Sequence, residues 1–205
     1  MRSGSILRPS ICFEQGTSGN DIIFNGAGDL LFLCPMTRIG VLSDTHGWLD
    51  DAVFRHFEEC NEIWHAGDIG NVAVAEQLVQ FKPFKAVYGN IDDHVVRAQY
   101  PKDQRFTCED VKVWITHIGG RPGHYAQGIR AELIKNVPDL FICGHSHLCL
   151  VQMDKQFNML HMNPGAAGRH GFHKVRTLIR FTIDGSKMRD AQVIELGPRS
   201  AGENS

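Results

Sequence analysis

No run of this sequence approaches the roughly 18 consecutive apolar residues that a membrane-spanning helix needs, and Asp21 and Asp29 interrupt the best apolar segments of its N-terminus. That terminus also lacks the basic-then-apolar order of a signal peptide. Neither sign of charge dominates: 21 Lys and Arg stand against 23 Asp and Glu in 205 residues. No basic field therefore advertises nucleic acid and no polybasic run an anionic membrane, so extended nucleic-acid contacts are not expected. The cysteines Cys12, Cys34, Cys60, Cys108, Cys143 and Cys149 form no C-x-x-C pair of zinc or redox type. Buried free thiols in a reducing, cytoplasmic compartment are the simple reading. With 42% hydrophobic residues, the chain can bury one sizeable core.

Residues 1–35 are rich in Gly, Ser and Asn and close on Pro35, whereas periodic patterning starts at Met36. They read as an N-terminal extension, disordered or upstream of a natural start at Met36; the competing reading is a hairpin using Asp21 to Leu33. The globular domain is expected over residues 36–198, with a short tail at 199–205.

From Thr37 onward, short apolar strands alternate with helix-like segments, the pattern of an α/β layer architecture. Leu49, Val53, Phe54 and Phe57 share one helical face, and Val72 to Phe81 and Tyr125 to Lys135 read as further helices. Ile179, Phe181 and Ile183 alternate with Arg180 and Thr182, as in a half-buried antiparallel strand, so the chain turns mostly β after about residue 148.

Each early strand ends on a metal-competent side chain: Asp44 with His46, then Asp68, Asn90, His117, and His145 with His147. Residues two apart in extended chain point the same way, so each pair can face one site. A tetrahedral zinc takes at most four protein ligands, whereas a two-metal centre with one shared carboxylate uses the whole set. Carboxylate, amide and imidazole donors without thiolate suit Mn²⁺, Fe, Zn²⁺, Ni²⁺ or Co²⁺ better than Ca²⁺ or Mg²⁺. Gly67, Gly89 and Gly144 directly precede candidate ligands, where the chain must turn sharply and approach an ion closely.

The segments SDTHG (Ser43 to Gly47), HAGD (His65 to Asp68), GNID (Gly89 to Asp92), TH (Thr116 to His117), GHSH (Gly144 to His147) and NPGAAG (Asn163 to Gly168) together resemble the calcineurin-like metallophosphoesterases, most closely the small YfcE-like phosphodiesterases without a cap domain. That resemblance implies a four-layer α/β/β/α sandwich and two divalent transition metal ions, Mn²⁺ ranking first. One ion would be held by Asp44, His46, Asp68 and His147, the other by Asp68, Asn90, His117 and His145, with Asp68 bridging. It implies a bridging hydroxide that attacks phosphorus in line, with Asp68, Asn90 and His117 at the catalytic centre and Asn90 stabilising equatorial oxygen charge.

Many relatives carry a histidine directly after the ligand asparagine; here Ile91 stands there, as it does without histidine in the YfcE-like branch. His94 is a candidate substitute for substrate contact, and Arg121, with His124 and Tyr125 in the same Gly-rich loop, a candidate phosphate contact. Asp92 is expected to orient the Asn90 loop or a ligand histidine. The segment RHGFHKVR, Arg169 to Arg176, is expected to be an exposed charged turn. The expected partner is a small phosphoester; a homo-oligomer stays open. Alternatives are a phosphomonoesterase or nucleotide pyrophosphohydrolase with the same centre, or a non-catalytic protein-binding scaffold like the phosphoesterase-related retromer subunit.

Overall fold

Runs rich in β-branched and aromatic residues become strands, and three-to-four-residue spacing of apolar groups becomes helices. The structure, a computed structural model, describes residues 22–24, 30–32 and 36–199. The chain divides into units Met1–Pro35 and Met36–Ser205. In the first, β1 (Ile22–Phe24) pairs antiparallel with β2 (Leu30–Phe32). The rest of the expected extension, with Cys12 and Cys34, lies outside the described residues, as does the tail beyond Arg199.

The second unit begins β3 (Thr37–Leu42), α1 (Asp51–Phe57), β4 (Glu62–His65), α2 (Val72–Phe81), β5 (Phe84–Ala86) and α3 (His94–Gln99). It continues with β6 (Asp103–Cys108), β7 (Val111–Thr116), β8 (Gly120–Arg121), β9 (His124–Tyr125), α4 (Ile129–Lys135) and β10 (Leu140–Ile142). Four strands close it: β11 (Cys149–Asp154), β12 (Met159–Pro164), β13 (Val175–Asp184) and β14 (Lys187–Pro198). One sheet has the order β14-β13-β3-β4-β5, the other β11-β12-β10-β7-β6. Strands β3, β4 and β5 run parallel, as do β7, β10 and β12.

Burial separates the layers. Ile39, Val41 and Trp64 meet Val113, Ile115, Leu140 and Ile142 in a core between the two sheets. Ile63, Leu178 and Ala86 instead join Val53, Phe57, Leu78 and Val96 of α1, α2 and α3 on the outer face of the first sheet. Trp114, Phe141 and Met159 pack with Ile129 and Leu133 of α4 outside the second. The architecture is therefore the four-layer α/β/β/α sandwich, with no cap domain among the described residues.

Two expectations need correction. β13 is antiparallel to its neighbours, but it is not half-buried: Ile179 and Phe181 face the core between the sheets, while Leu178 is covered on the other face with Val53 and Phe57, and Thr182 is buried too. The helix expected from Tyr125 starts at Ile129, because His124 and Tyr125 pair with β8 and Gly128 takes φ 85° before the first turn. Cys60, Cys108 and Cys143 are buried free thiols as expected, while Cys149 is exposed.

The first sheet tolerates no side chain at Gly40, where a Cβ would lie 2.7 Å from two ring atoms of Phe57. Gly40→Ala is expected to destabilise the fold by about 1–3 kcal/mol through overpacking. Urea denaturation should show a lowered midpoint with an unchanged slope.

Candidate metal centre

Strands β3, β4, β5, β7 and β10 deliver Asp44, Asp68, Asn90, His117 and His145 from their carboxyl ends, so donors from both sheets gather at one rim of the sandwich. Backbone hydrogen bonds tie these loops together. Asp44 N–H donates to Gly67 O at 3.0 Å, His46 N–H to Asp68 O at 3.0 Å, and Gly144 N–H to His117 O at 3.0 Å. Two further bonds join the sheets directly: His145 N–H to Asp44 Oδ2 (3.2 Å) and His117 Nδ1–H to Ala66 O (2.8 Å). The NPGAAG segment braces both sides, with Gly168 N–H on Asp44 O (3.1 Å) and Asn163 Nδ2–H on Gly144 O (2.9 Å).

Asp44 (φ 55°), His46 (49°), Asp68 (54°), His145 (67°) and His147 (57°) all adopt the left-handed conformation. Few non-glycine residues do so, and each such residue costs on the order of 1–3 kcal/mol unless its surroundings enforce it. This corrects the reason expected for convergence: neither pair is extended. Asp44 and His46 face one group together, whereas His145 and His147 part into different groups. Glycine is needed at Gly89 because a Cβ would lie 2.0 Å from Asp68 Oδ1, and at Gly67, φ 95°, because it would lie 2.6 Å from His117 Nδ1.

Asp44, His46 and His147 form one group of potential ligands and Asp68, His117 and His145 a second, with ligand atoms within 4.8 Å of one another in each. Nε2 atoms of His46 and His147 approach to 3.2 Å. The buried Asp44 Oδ1 has no hydrogen-bond partner and faces His147 Nε2 at 3.1 Å, His46 Nε2 at 3.9 Å and His117 Nε2 at 4.0 Å. Asp68 Oδ2 spans both groups, 3.2 Å from His117 Nε2 and 3.9 Å from His46 Nε2. Asn90 Oδ1 lies 3.1 Å from His117 Nε2. Lone pairs crowded around an orphaned buried carboxylate oxygen fit a cation better than they fit each other.

Burial alone would raise the Asp68 carboxyl, but the hydrogen bond and charge of His117 and the Ile91 N–H hold it below the usual range. Burial would likewise lower His117, yet Asp68 and Asp44 raise it. At His46 burial prevails over Asp44 and Asp68, and the imidazole is lowered.

Residues behind the donors fix their orientation, and most escaped sequence reasoning. His173 donates from Nε2 to Gly168 O (3.0 Å), so its Nδ1 is left to accept from His147 Nδ1 at 3.2 Å, which turns the bare Nε2 of His147 into the site. Asp92 accepts N–H bonds from Ile69 (3.2 Å), Gly70 (2.6 Å) and Gly89 (2.7 Å), thereby orienting the Asn90 loop rather than a histidine. Arg97 clamps that loop by donating to Asp92 O (2.7 Å) and Asn90 O (3.0 Å). The signal for Arg97 was its place one turn into the helix after GNID.

Other candidates lie outside the two donor groups. His94 is exposed at the start of α3 and Arg121 is exposed on β8. Tyr125 donates its hydroxyl to Asp154 and packs on Phe141. The 169–176 segment is not simply an exposed turn: Arg176 is buried and paired with Asp50 at 2.7 Å, and His170 lies 5.2 Å from His46 between ring centroids. Arg169 and Arg176 stack on Trp48, which anchors the segment against the SDTHG loop.

The profile of the calcineurin-like phosphoesterase superfamily domain matches residues 37–186. The chain belongs to that superfamily. It is 29% identical over 164 residues to a probable metallophosphoesterase of Methanothermobacter thermautotrophicus, covering 78% of this chain and 92% of that protein. The fold is similar to a solved archaeal phosphodiesterase (TM-score 0.60, 20% identity, 77% of this chain and 100% of that one). It is also similar to Entamoeba histolytica Vps29 in complex with Zn²⁺ (TM-score 0.62, 12% identity, 78% and 99%). No helix among the described residues is long and apolar enough to cross a membrane.

His65, on the strand that leads to Asp68, is fully buried. Its Nδ1 accepts from Gly67 N–H (3.1 Å) and its Nε2–H donates to Thr45 Oγ1 (3.0 Å). Burial, opposed by Asp92 and Asp44, lowers it from 6.5 to about 4. The unfolded chain therefore binds a proton that the folded one refuses, so this stability is complete above pH 6.5 and falls as pH drops towards about 4. His46, His161 and His173 act in the same direction and His117 in the opposite one. Chelator-treated protein is expected to lose stability across that window in urea titrations, and His65→Gln to flatten the loss.

Proposed function

We propose that this chain is a phosphodiesterase working through a dinuclear divalent centre. Asp44, His46, Asp68 and His147 hold one ion, and Asp68, Asn90, His117 and His145 the other, with Asp68 shared. The observation that carries this reading is the buried, donor-less Asp44 Oδ1 beside two imidazole nitrogens 3.2 Å apart. A cation satisfies all of them at once. The donors contain no thiolate, which suits Mn²⁺, Ni²⁺, Zn²⁺, Fe or Co²⁺; the resemblance to the small phosphodiesterases is what ranks Mn²⁺ first.

Two such ions supply water activation at neutral pH and offset the negative charge that builds on phosphoryl oxygens. The chain's own residues prepare the geometry. Neutral His117 carries its proton on Nδ1, donated to Ala66 O, which leaves Nε2 to an ion in place of its bond to Asp68, and His147 is oriented likewise through His173. Asn90 presents its amide beside His117, positioned to donate to an equatorial phosphoryl oxygen during in-line displacement. A monoester or nucleotide pyrophosphate would use the same centre; the likeness to a solved archaeal phosphodiesterase supports the diester. The full set of converging donors held in left-handed backbone favours a catalytic centre over a protein-binding scaffold.

Chelator-stripped protein resupplied with Mn²⁺ is expected to hydrolyse bis(p-nitrophenyl) phosphate faster than p-nitrophenyl phosphate. Asp68→Asn and His117→Ala should each lower turnover by a factor on the order of 100. Monoester turnover alone would refute the substrate class, and two bound metals without turnover of either would refute the enzyme. His173→Phe is expected to weaken Mn²⁺ binding about 10–100-fold by calorimetry, with His173→Gln recovering part of it.

A further inference from the structure

Beside the Asn90 and His117 end of the donor cluster opens a cleft of about 680 Å³. That size falls among small-molecule sites, roughly 300–1,000 Å³. Of the candidate ligands, the cleft touches Asn90 and His117 and none of Asp44, His46, Asp68, His145 or His147. A molecule filling it would therefore reach the centre from one side only, as a substituent on a phosphoryl group does.

The lining is mixed. Ile118, Ala126, Ile129 and Ala131 give the cleft apolar lining, Arg97 and Lys102 basic lining, and Asp103 and Glu132 acidic lining. Arg97 commits Nε and Nη2 to backbone carbonyls, which leaves Nη1 available. Lys102 forms no ion pair among the described residues. The cleft's carboxylates are partly engaged, Asp103 Oδ1 accepting from Trp114 Nε1–H at 3.2 Å and Glu132 Oε1 pairing with Lys135 at 2.8 Å, and each keeps its other oxygen. Unspent hydrogen-bonding capacity in the cleft is thus donating at Arg97 and Lys102 and accepting at Asp103 and Glu132.

From this we infer that the cleft is the subsite for one organic substituent of the phosphodiester, a group of aryl or nucleoside size with an apolar face and a polar edge that both donates and accepts hydrogen bonds. The inference rests on the phosphodiesterase reading and assigns its substrate class. Compact diesters leave the cleft empty and gain nothing from it.

The test fills the cleft from α4, where Ala131 is exposed. With Mn²⁺-loaded protein, Ala131→Trp is expected to raise KM for bis(p-nitrophenyl) phosphate about tenfold or more, because binding rather than chemistry is removed. Inhibition by inorganic phosphate, which reaches the centre without entering the cleft, should not change, nor should Mn²⁺ affinity. Lys102→Glu, in the basic lining, should also raise KM with phosphate inhibition retained, and decides the matter if the tryptophan disturbs the fold. Unchanged KM in both variants overturns the subsite and leaves the phosphodiesterase standing. A wild-type protein that binds metal yet hydrolyses no diester overturns the parent reading, and the subsite with it.

Discussion

A buried carboxylate oxygen with no donor, Asp44 Oδ1, is the constraint around which the rest of this rim is arranged. Removing such an oxygen from water is costly unless something positive replaces the solvent. Here the neighbours are imidazole nitrogens, and His147 at least is turned so that its bare lone pair faces in. The group carries its full cost in the metal-free chain, and metal affinity is the return of that free energy on binding. The left-handed backbone at Asp44, His46, Asp68, His145 and His147 belongs to the same balance, since strain of this kind persists only where the surroundings over-determine it.

What over-determines it is the sandwich itself. Each sheet alone would present only part of the donor set, and the separation of the sheets is held by the Trp64, Ile115 and Ile142 core. The bonds from His145 N–H to Asp44 and from His117 to Ala66 cross that gap at the rim. A shift of one sheet over the other would break both and separate the groups that Asp68 spans. Arg176, buried between Asp50 and the carbonyls of Leu196 and Pro198, extends the same bracing to the far side of the SDTHG loop.

The donors were legible in the sequence because each is a polar residue where an apolar strand stops, a local pattern that folding does not rearrange. The reason first attached to them was not: two-residue spacing suggested extended chain, whereas left-handed turns make Asp44 and His46 converge and make His145 and His147 diverge. The four layers were legible from alternating strands and helices, but β13 looked half-exposed because a strand's own alternation says nothing about what covers its other face. His173 could not be found by spacing, since its contact with His147 depends on how the segment folds back over Trp48. His94 and Arg121 were chosen for chemistry and proximity in sequence, and the helix start and the short hairpin carry them to exposed positions.

Position 91 shows why side-chain pattern alone misreads this site. Ile91 directly follows Asn90 and is 46% exposed. Its main chain nevertheless acts on the centre, because Ile91 N–H donates at 3.0 Å to Oδ1 of Asp68, the carboxylate that spans both groups. That bond helps to hold Asp68 ionised and leaves Oδ2 for the donor cluster. Asp92 and Arg97 hold this loop by its backbone too, through Gly89 N–H and the carbonyls of Asn90 and Asp92. The GNID turn thus contributes one side chain, Asn90, and otherwise works as a rigid backbone fixture that is indifferent to the side chain at 91. Arg97 also lines the cleft, so the group that positions Asn90 is the one a bound substituent would touch.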